Sequence, residues 1–210
     1  MRSAELAATL QDARSLGFLG PGPVEDQLLH AERLAAAIGD APGTFLDLGS
    51  GGGLPGLVLG VIWPQAGGVL LDAQQRRCHF LRGACDRLQL QDRVGVVCGR
   101  AETLARDAEL RGRFELVVAR AFGPPAATAE CGVGFLAAGG RLVVTEPPGG
   151  MSELRWPTDG LARLGLTGPE SIRYGDTGAV VLRSSGEVAG EWPRREGVPT
   201  RRPLWRVPEH

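Results

Sequence analysis

The chain has 210 residues, of which 43% are hydrophobic and 22% charged, and its formal net charge is −1. This length allows one domain with extensions and a core that needs no metal or disulfide, and the near-neutral charge argues against a uniformly basic nucleic-acid-binding surface. No apolar run approaches the roughly 18 residues of a membrane span, and no secretory signal peptide is visible, so we expect a cytoplasmic protein without membrane contacts. All 23 basic residues are arginine, which excludes lysine-based chemistry.

Two helices are predicted at the N-terminus, at 5–16 and 24–38, the second with Leu28, Leu29, Leu34 and Ile38 on its apolar stripe. Beyond residue 43, strand-like apolar runs alternate with helical segments. The predicted strands are 44–50, 67–72, 93–99, 114–121 and 140–146, and the helices between them include 57–62 and 74–90. This alternation predicts an α/β fold with a doubly wound, mostly parallel sheet of the Rossmann-like type.

A hairpin predicted over 171–185 adds antiparallel strands at the edge of this sheet. We therefore divide the chain into an N-terminal helical extension (1–43), a central domain (44–185) and a Pro/Arg-rich tail (186–210).

The four cysteines lack the spacing of a zinc site, and the three histidines are scattered along the chain. We expect the cysteines to be reduced, buried apolar residues, and we expect no metal. The residues concerned are Cys78, Cys85, Cys98 and Cys131, with His30, His79 and His210.

A glycine-rich loop follows the first strand of the central domain, with the sequence Asp47-Leu-Gly-Ser-Gly-Gly-Gly-Leu-Pro-Gly56. Glycines allow a tight turn and a close approach of a ligand, and ligands of α/β sheets bind at the carboxyl ends of the strands. The spacing of Gly51, Gly53 and Gly56, with Asp72 near the end of the next strand, fits a dinucleotide. The spacing of Asp47, Gly49, Gly51 and Gly53 fits S-adenosylmethionine.

Charge favours S-adenosylmethionine over the dinucleotide. Asp47 precedes the glycines, where a carboxylate repels a pyrophosphate and attracts the cationic sulfonium and ammonium groups of S-adenosylmethionine. Asp72 suits the ribose hydroxyls of either cofactor. The segment 99–102 after the third strand is placed to meet an adenine.

The loop GSGGGLPG, followed by LLDAQQRRCHFLR, CGRAET and VVARAF, resembles the bacterial 16S ribosomal RNA guanine-N7 methyltransferase family (RsmG, also called GidB). The resemblance runs from about Leu28 to Leu204. It implies methyl transfer from S-adenosylmethionine to 16S ribosomal RNA, naked or in the small subunit. A related methyltransferase for a small molecule or another RNA, and a binding protein without turnover, remain as alternatives.

The resemblance also implies cofactor contacts from Gly49, Leu54, Ala101, Glu102 and Arg120. An arginine at the end of a buried strand needs an anionic partner. This partner is a cofactor carboxylate or an RNA phosphate, or alternatively an internal carboxylate, Asp47 or Asp72.

Two further residues match or depart from the family. His30 matches the histidine of the helix before the first strand, although a packing role is the commoner one for such a residue. Glu146, followed by Pro147-Pro148-Gly149-Gly150, stands where the family usually has Lys-Gly. Methylation at guanine N7 needs no general base, and Glu146 is a candidate carboxylate to favour the positive charge that moves onto the purine.

The last nineteen residues carry a net charge of +3, whereas the rest of the chain carries −4. Arg194, Arg195, Arg201 and Arg202 are the candidate RNA-binding residues. Trp192 and Trp205 flank them, either to stack on bases or to anchor the tail on its own domain.

Overall fold

A computed structural model of the protein describes residues 2–147, 153–186 and 188–207. The strands are β1 (Thr44–Leu48), β2 (Gly67–Asp72), β3 (Val94–Cys98), β4 (Phe114–Ala119), β5 (Leu136–Glu146), β6 (Leu166–Tyr174) and β7 (Thr177–Ser184). The helices are α1 (Arg2–Ser15), α2 (Val24–Ile38), α3 (Gly56–Ile62), α4 (Gln75–Arg87), α5 (Ala101–Leu104), α6 (Pro125–Val133), α7 (Thr158–Arg163) and α8 (Val198–Arg201).

The seven strands form one sheet in the order β3-β2-β1-β4-β5-β7-β6. Strands β1 to β5 pair in parallel, and β7 lies antiparallel between β5 and β6. The predicted fold class and the edge hairpin are therefore confirmed. The strand order reverses between β1 and β4, which opens a crevice at their carboxyl ends, the usual ligand position in such sheets.

Both extensions share the hydrophobic core of the sheet. Leu10 of α1 and Leu34 of α2 are fully buried in the same cluster as α3 and α4. Trp192 of the tail lies in the cluster on the opposite side. Each fully buried leucine contributes about 1.5–3 kcal/mol, so both ends of the chain are held to the domain by apolar burial.

Some elements differ from the sequence prediction. Helix α6 has no amphipathic pattern because every residue in it is buried, so it carries no periodic signal. Strand β5 begins at Leu136, before the predicted residue 140, and its register with β4 shifts between Phe114 and Leu116. On α2, Leu29 is 42% exposed, so its predicted place on the apolar stripe is wrong.

The prediction of four reduced cysteines is wrong for one pair, because Cys78 and Cys98 form a disulfide with a Cα–Cα distance of 5.8 Å. Cys98 pairs in register with Asp72 at the end of β2, and α4 starts just beyond, which brings its first turn over β3. Cys85 and Cys131 are free and buried as predicted, and burial raises the pKa of both thiols, that of Cys85 to about 11. Within the described ranges no helix is long and apolar enough to cross a membrane.

Candidate functional site

The glycine loop begins at the end of β1 and runs alongside the end of the neighbouring strand β2. The amides of Gly49 and Ser50 both donate to the Leu71 carbonyl, at 2.9 and 2.8 Å. Gly49 has φ +77°, and a Cβ there would lie 2.7 Å from Cδ2 of Phe122. Only glycine fits this position, because the backbone is left-handed and passes directly under an aromatic ring.

Asp47 lies behind the loop and is fully buried. Its Oδ2 accepts a hydrogen bond from the Gly56 amide at 2.9 Å, whereas its Oδ1 has no partner within the described residues. Burial raises the pKa of this carboxyl to about 7. A buried acceptor without a partner is costly, and a cationic ligand group at the loop would satisfy it.

Asp72 ties the glycine loop to the start of α4. Its Oδ2 accepts from the Gly51 amide at 2.9 Å and its Oδ1 from the Gln74 amide at 2.8 Å. Arg77 pairs with it at 3.6 Å. A carboxylate oxygen accepts two hydrogen bonds, so Asp72 both shapes the loop and retains acceptor positions for hydroxyl groups.

Two adjoining cavities line the carboxyl edge of the sheet and meet at Gly49; together we call them the cofactor cleft. The loop cavity has a volume of about 210 Å³, and its walls include Phe18, Gly51, Leu54 and Arg120. The β3 cavity has a volume of about 160 Å³, and its walls include Ala101, Glu102, Phe122 and Thr200. A groove of about 660 Å³ between α1 and α4 lies outside this edge.

The C-terminal tail forms part of the β3 cavity. Glu102 is 3% exposed, and its Oε1 accepts from the Gly197 amide at 2.9 Å. Thr200, three residues further on, lies in the cavity wall. The tail is therefore a wall of the cofactor cleft, a position that no pattern in the sequence indicates.

Arg120 stands between the loop cavity and a third space. Its Nη2 donates to Oε1 of Gln27 at 3.3 Å, and Gln27 in turn donates to the Gly20 carbonyl at 3.1 Å. Within the described residues Arg120 forms no ion pair with either Asp47 or Asp72, so the alternative of an internal salt bridge is wrong. Burial lowers the pKa of Arg120, and the nearby Asp47 partly offsets this effect.

The third space, the β5 pocket, has a volume of about 390 Å³ and lies beside the cofactor cleft. The residues that it shares with the cleft include Arg120 and Phe122, and its other walls include His30, Glu146, Arg155 and Trp156. Nδ1 of His30 lies 3.2 Å from the Thr177 hydroxyl. Burial, together with the charge of Arg120, lowers the pKa of His30, which keeps the ring neutral at neutral pH.

Glu146 does not present the unpaired charge that a role in charge stabilisation assumes. Its Oε2 accepts from Nε of Arg155 at 2.7 Å, and its Oε1 accepts from Nε1 of Trp156 at 3.1 Å. The ion pair with Arg155 leaves this wall of the pocket close to neutral. Pro148, Gly149 and Gly150 lie outside the described residues.

The tail packs against the domain through its first arginine and both tryptophans. Arg194 donates to the buried carboxylate of Glu130 through its amide, Nε and Nη2. Trp192 is 8% exposed, and Nε1 of Trp205 donates to the Arg155 carbonyl at 2.9 Å. The anchoring alternative therefore holds for both tryptophans, and Arg194 is occupied internally.

The structure thus brings most of the predicted cofactor residues together. Gly49, Gly51, Leu54, Ala101, Glu102 and Arg120 line the cofactor cleft, whereas Asp47, Gly53 and Asp72 support the loop from behind. Gln27 was missed, although a glutamine on the apolar stripe of α2 is a signal for a buried hydrogen-bonding role. Thr200 gave no signal because the other residues that line the cavity lie between Gly49 and Cys131, far from it in the sequence.

Solved structures with this architecture show the fold of the protein. Cofactor-bound Rv0187 from MTB superimposes with a TM-score of 0.62 at 22% identity, covering 88% of this chain and 91% of that one. An O-methyltransferase from Bacillus cereus in complex with SAH gives a TM-score of 0.58 at 16% identity, covering 86% and 90%. At these identities the similarity shows the fold, which is that of the Rossmann-like methyltransferases.

Sequence comparison identifies the family. The family model GidB, rRNA small subunit methyltransferase G, matches residues 24–150. A protein named ribosomal RNA small subunit methyltransferase G from Rubrobacter xylanophilus is 38% identical over 175 residues, 78% of this chain and 66% of that protein. A protein of the same name from Thermotoga sp. is 36% identical over 167 residues, 77% and 72%. The chain therefore belongs to the rRNA small subunit methyltransferase G family, an S-adenosylmethionine-dependent family, and the predicted resemblance is confirmed.

Proposed function

We propose that the protein transfers a methyl group from S-adenosylmethionine to N7 of a guanine in 16S ribosomal RNA, in the cytoplasm. The observation that carries the proposal is the extent of the family match. Residues 24–150 include every wall of the cofactor cleft except the α1–α2 connection and the tail, and they reach Glu146 in the β5 pocket.

The residues at the cleft fit the cofactor. The unpartnered Oδ1 of Asp47 favours a cationic group near the loop, and Gly49 lets the loop pass close to Phe122 at the junction of the two cavities. We assign Asp72 to the ribose hydroxyls, Ala101 and Glu102 to the adenine end, and Arg120 to the methionine carboxylate. When bound, S-adenosylmethionine supplies a methyl group on a sulfonium that leaves as a neutral thioether.

The protein has little proton chemistry to perform. Guanine N7 carries a free lone pair, so the site must hold the purine in line with the methyl group and exclude water. Phe122, which lies between the β3 cavity and the β5 pocket, and the neutral ring of His30 provide walls for this purpose. Neither residue adds a positive charge that would oppose the one moving onto the purine.

We assign contacts with the RNA backbone to the exposed arginines of the tail, Arg195, Arg201 and Arg202. Arg194 is left out because its guanidinium is bound to Glu130. Contacts with phosphates make binding strongly dependent on salt.

The activity is tested by incubating the protein with S-adenosylmethionine labelled in the methyl group and either naked 16S ribosomal RNA or 30S subunits. Digestion to nucleosides followed by mass spectrometry should show 7-methylguanosine from at least one of the two substrates. A methylated nucleoside other than 7-methylguanosine, or none from either substrate, would overturn the proposal. In the latter case the small-molecule and non-catalytic alternatives are favoured.

The RNA surface is tested with the triple variant Arg195→Ala, Arg201→Ala, Arg202→Ala. Its matched control replaces three exposed arginines of the body, Arg82, Arg113 and Arg163, by alanine. We expect the slope of log affinity against log salt to fall by about 2–3 for the tail variant only. Equal slopes for the two variants would mean that the tail does not contact the RNA backbone.

A further inference from the structure

The β5 pocket differs from the cofactor cleft in the residues of its far wall. Arg120 and Phe122 belong to both spaces, whereas Glu146, Arg155 and Trp156 line the β5 pocket and neither cavity of the cleft. A planar group in this pocket therefore contacts Glu146 and lies beside the cofactor cleft.

Glu146 is held in one orientation from behind. Its side chain is 3% exposed, and it is fixed by Nε of Arg155 at 2.7 Å and by Nε1 of Trp156 at 3.1 Å. A carboxylate has about four acceptor positions. These two bonds leave one position on each oxygen, because the contact of Oε1 with Nη2 of Arg155, at 3.5 Å, is long for a hydrogen bond. Nη1 of Arg155 has no hydrogen-bond partner in the part of the chain that the structure describes.

The hydrogen-bond acceptor Glu146 and the donor Arg155 are together complementary to guanine. The Watson–Crick edge of guanine carries hydrogen-bond donors at N1 and N2 next to the acceptor O6, and enzymes that take a base out of its helix read this edge. Adenine offers a lone pair at N1, which a carboxylate repels. We propose that Glu146 and Arg155 determine specificity for guanine, with Glu146 accepting from N1 and N2 and Arg155 donating to O6. This inference rests on the proposed function.

The same arrangement leaves the reacting atom free. N7 lies on the edge of guanine that also carries O6, next to the Watson–Crick edge, so a guanine whose N1 and N2 are held by Glu146 keeps N7 unbound on the neighbouring edge. The pairing of Glu146 with Arg155 is required here, since a desolvated carboxylate needs a compensating cation. Glu146 thus acts through recognition of the base, which requires no net charge.

The test uses the full-length protein and the variant Glu146→Gln. Once the methylated guanosine of 16S ribosomal RNA has been mapped, RNA is prepared with inosine at that position, which lacks the N2 amino group. We expect the wild-type protein to prefer guanosine by about 10-fold or more in kcat/KM, as for other base-edge contacts. Glu146→Gln should lower kcat/KM for guanosine by about 10- to 100-fold and bring the guanosine-to-inosine ratio close to one.

Two controls separate recognition from folding. Glu170→Gln makes the same change in a solvent-exposed glutamate that pairs with Arg183, and it should match the wild type. For Glu146→Gln, the melting temperature should stay close to that of the wild type. Its calorimetric affinity for S-adenosylhomocysteine should stay within about 2-fold of the wild-type affinity. Arg155→Lys, which keeps the charge but not the planar donor pair, should also lose the preference.

The outcomes are distinct. A variant Glu146→Gln that keeps the wild-type ratio, or that loses cofactor affinity and melting temperature together with activity, would overturn the role of Glu146. A wild-type protein that methylates no guanosine in 16S ribosomal RNA would instead overturn the proposed function, and the inference would fall with it.

Discussion

The pair formed by Glu130 and Arg194 anchors the tail, and its removal gives the sharpest prediction from the fold. Arg194→Met deletes the two side-chain hydrogen bonds to Glu130, at 2.8 and 2.6 Å, and a third to the Arg202 carbonyl at 2.9 Å. Among the described residues, only the backbone amide of residue 194 then remains as a partner of the fully buried Glu130 carboxylate. Breaking one side of a buried pair costs about 3–5 kcal/mol. For a chain of this length we expect the melting temperature to fall by about 10 °C.

Glu130→Gln should be milder, at about 1–3 kcal/mol, because it removes the buried charge itself. The Arg194 side chain is 28% exposed and stays hydrated without its partner. The double variant should therefore be more stable than Arg194→Met alone, which a double-mutant cycle of urea unfolding measures. Purely additive free energies would refute this account of the pair.

The anchor also bears on the cofactor, because it lies two residues after Trp192 and three before Gly197, whose amide binds Glu102. We expect the affinity of Arg194→Met for S-adenosylhomocysteine, measured by calorimetry below the melting transition, to fall by about 10-fold, or 1.4 kcal/mol. A destabilised variant with unchanged affinity would show that the tail wall does not contribute to binding.

Three further predictions concern the cleft. Gly49→Ala should abolish binding of S-adenosylhomocysteine, because the new methyl group lies 2.7 Å from a ring, whereas Gly83→Ala on α4 meets no atom within 4 Å and should bind normally. The pKa of Asp47 is raised from 3.8 to about 7, so its contribution to the stability of the ligand-free protein is present below pH 4 and lost as the pH rises through 7. In urea unfolding, the free energy of unfolding of Asp47→Asn should not show this decrease with pH. Gln27→Leu leaves two polar partners unsatisfied and should cost about 1–3 kcal/mol in the same assay, and an unchanged stability would contradict the bridging role.

The sequence predicted the parts of the molecule that local patterns control. The parallel strands are recognisable in the sequence as short apolar runs between helices. The loop is recognisable by its glycines, because its conformation requires glycine at Gly49. Asp72 was identified by its distance from the loop, and the structure shows it bound to the loop backbone. In each case the relevant residues lie within about 25 positions of one another.

Long-range contacts account for the rest. Glu130 and Arg194 are 64 residues apart, and Gln27 and Arg120 are 93 apart, so no periodicity connects them. Glu146 stands out in the sequence as a carboxylate at the end of a strand, but its ion pair with Arg155 and its hydrogen bond from Trp156 form only in the folded chain. Charge counted along the sequence therefore misjudged both the acidity of this wall and the number of free arginines in the tail.

Under the proposed function, these contacts also link the two substrates, RNA and S-adenosylmethionine. The segment that begins at Arg194 binds Glu130, reaches Glu102 through Gly197 and supplies Thr200 to the β3 cavity. The exposed arginines of the same segment lie on either side of Gly197. Under the proposed function, a phosphate bound by these arginines is attached to a segment whose backbone forms the cleft wall, so RNA and cofactor both contact one packed element. Any free energy of coupling between them must act equally in both directions, so RNA that strengthens cofactor binding is itself bound more tightly when the cleft is filled.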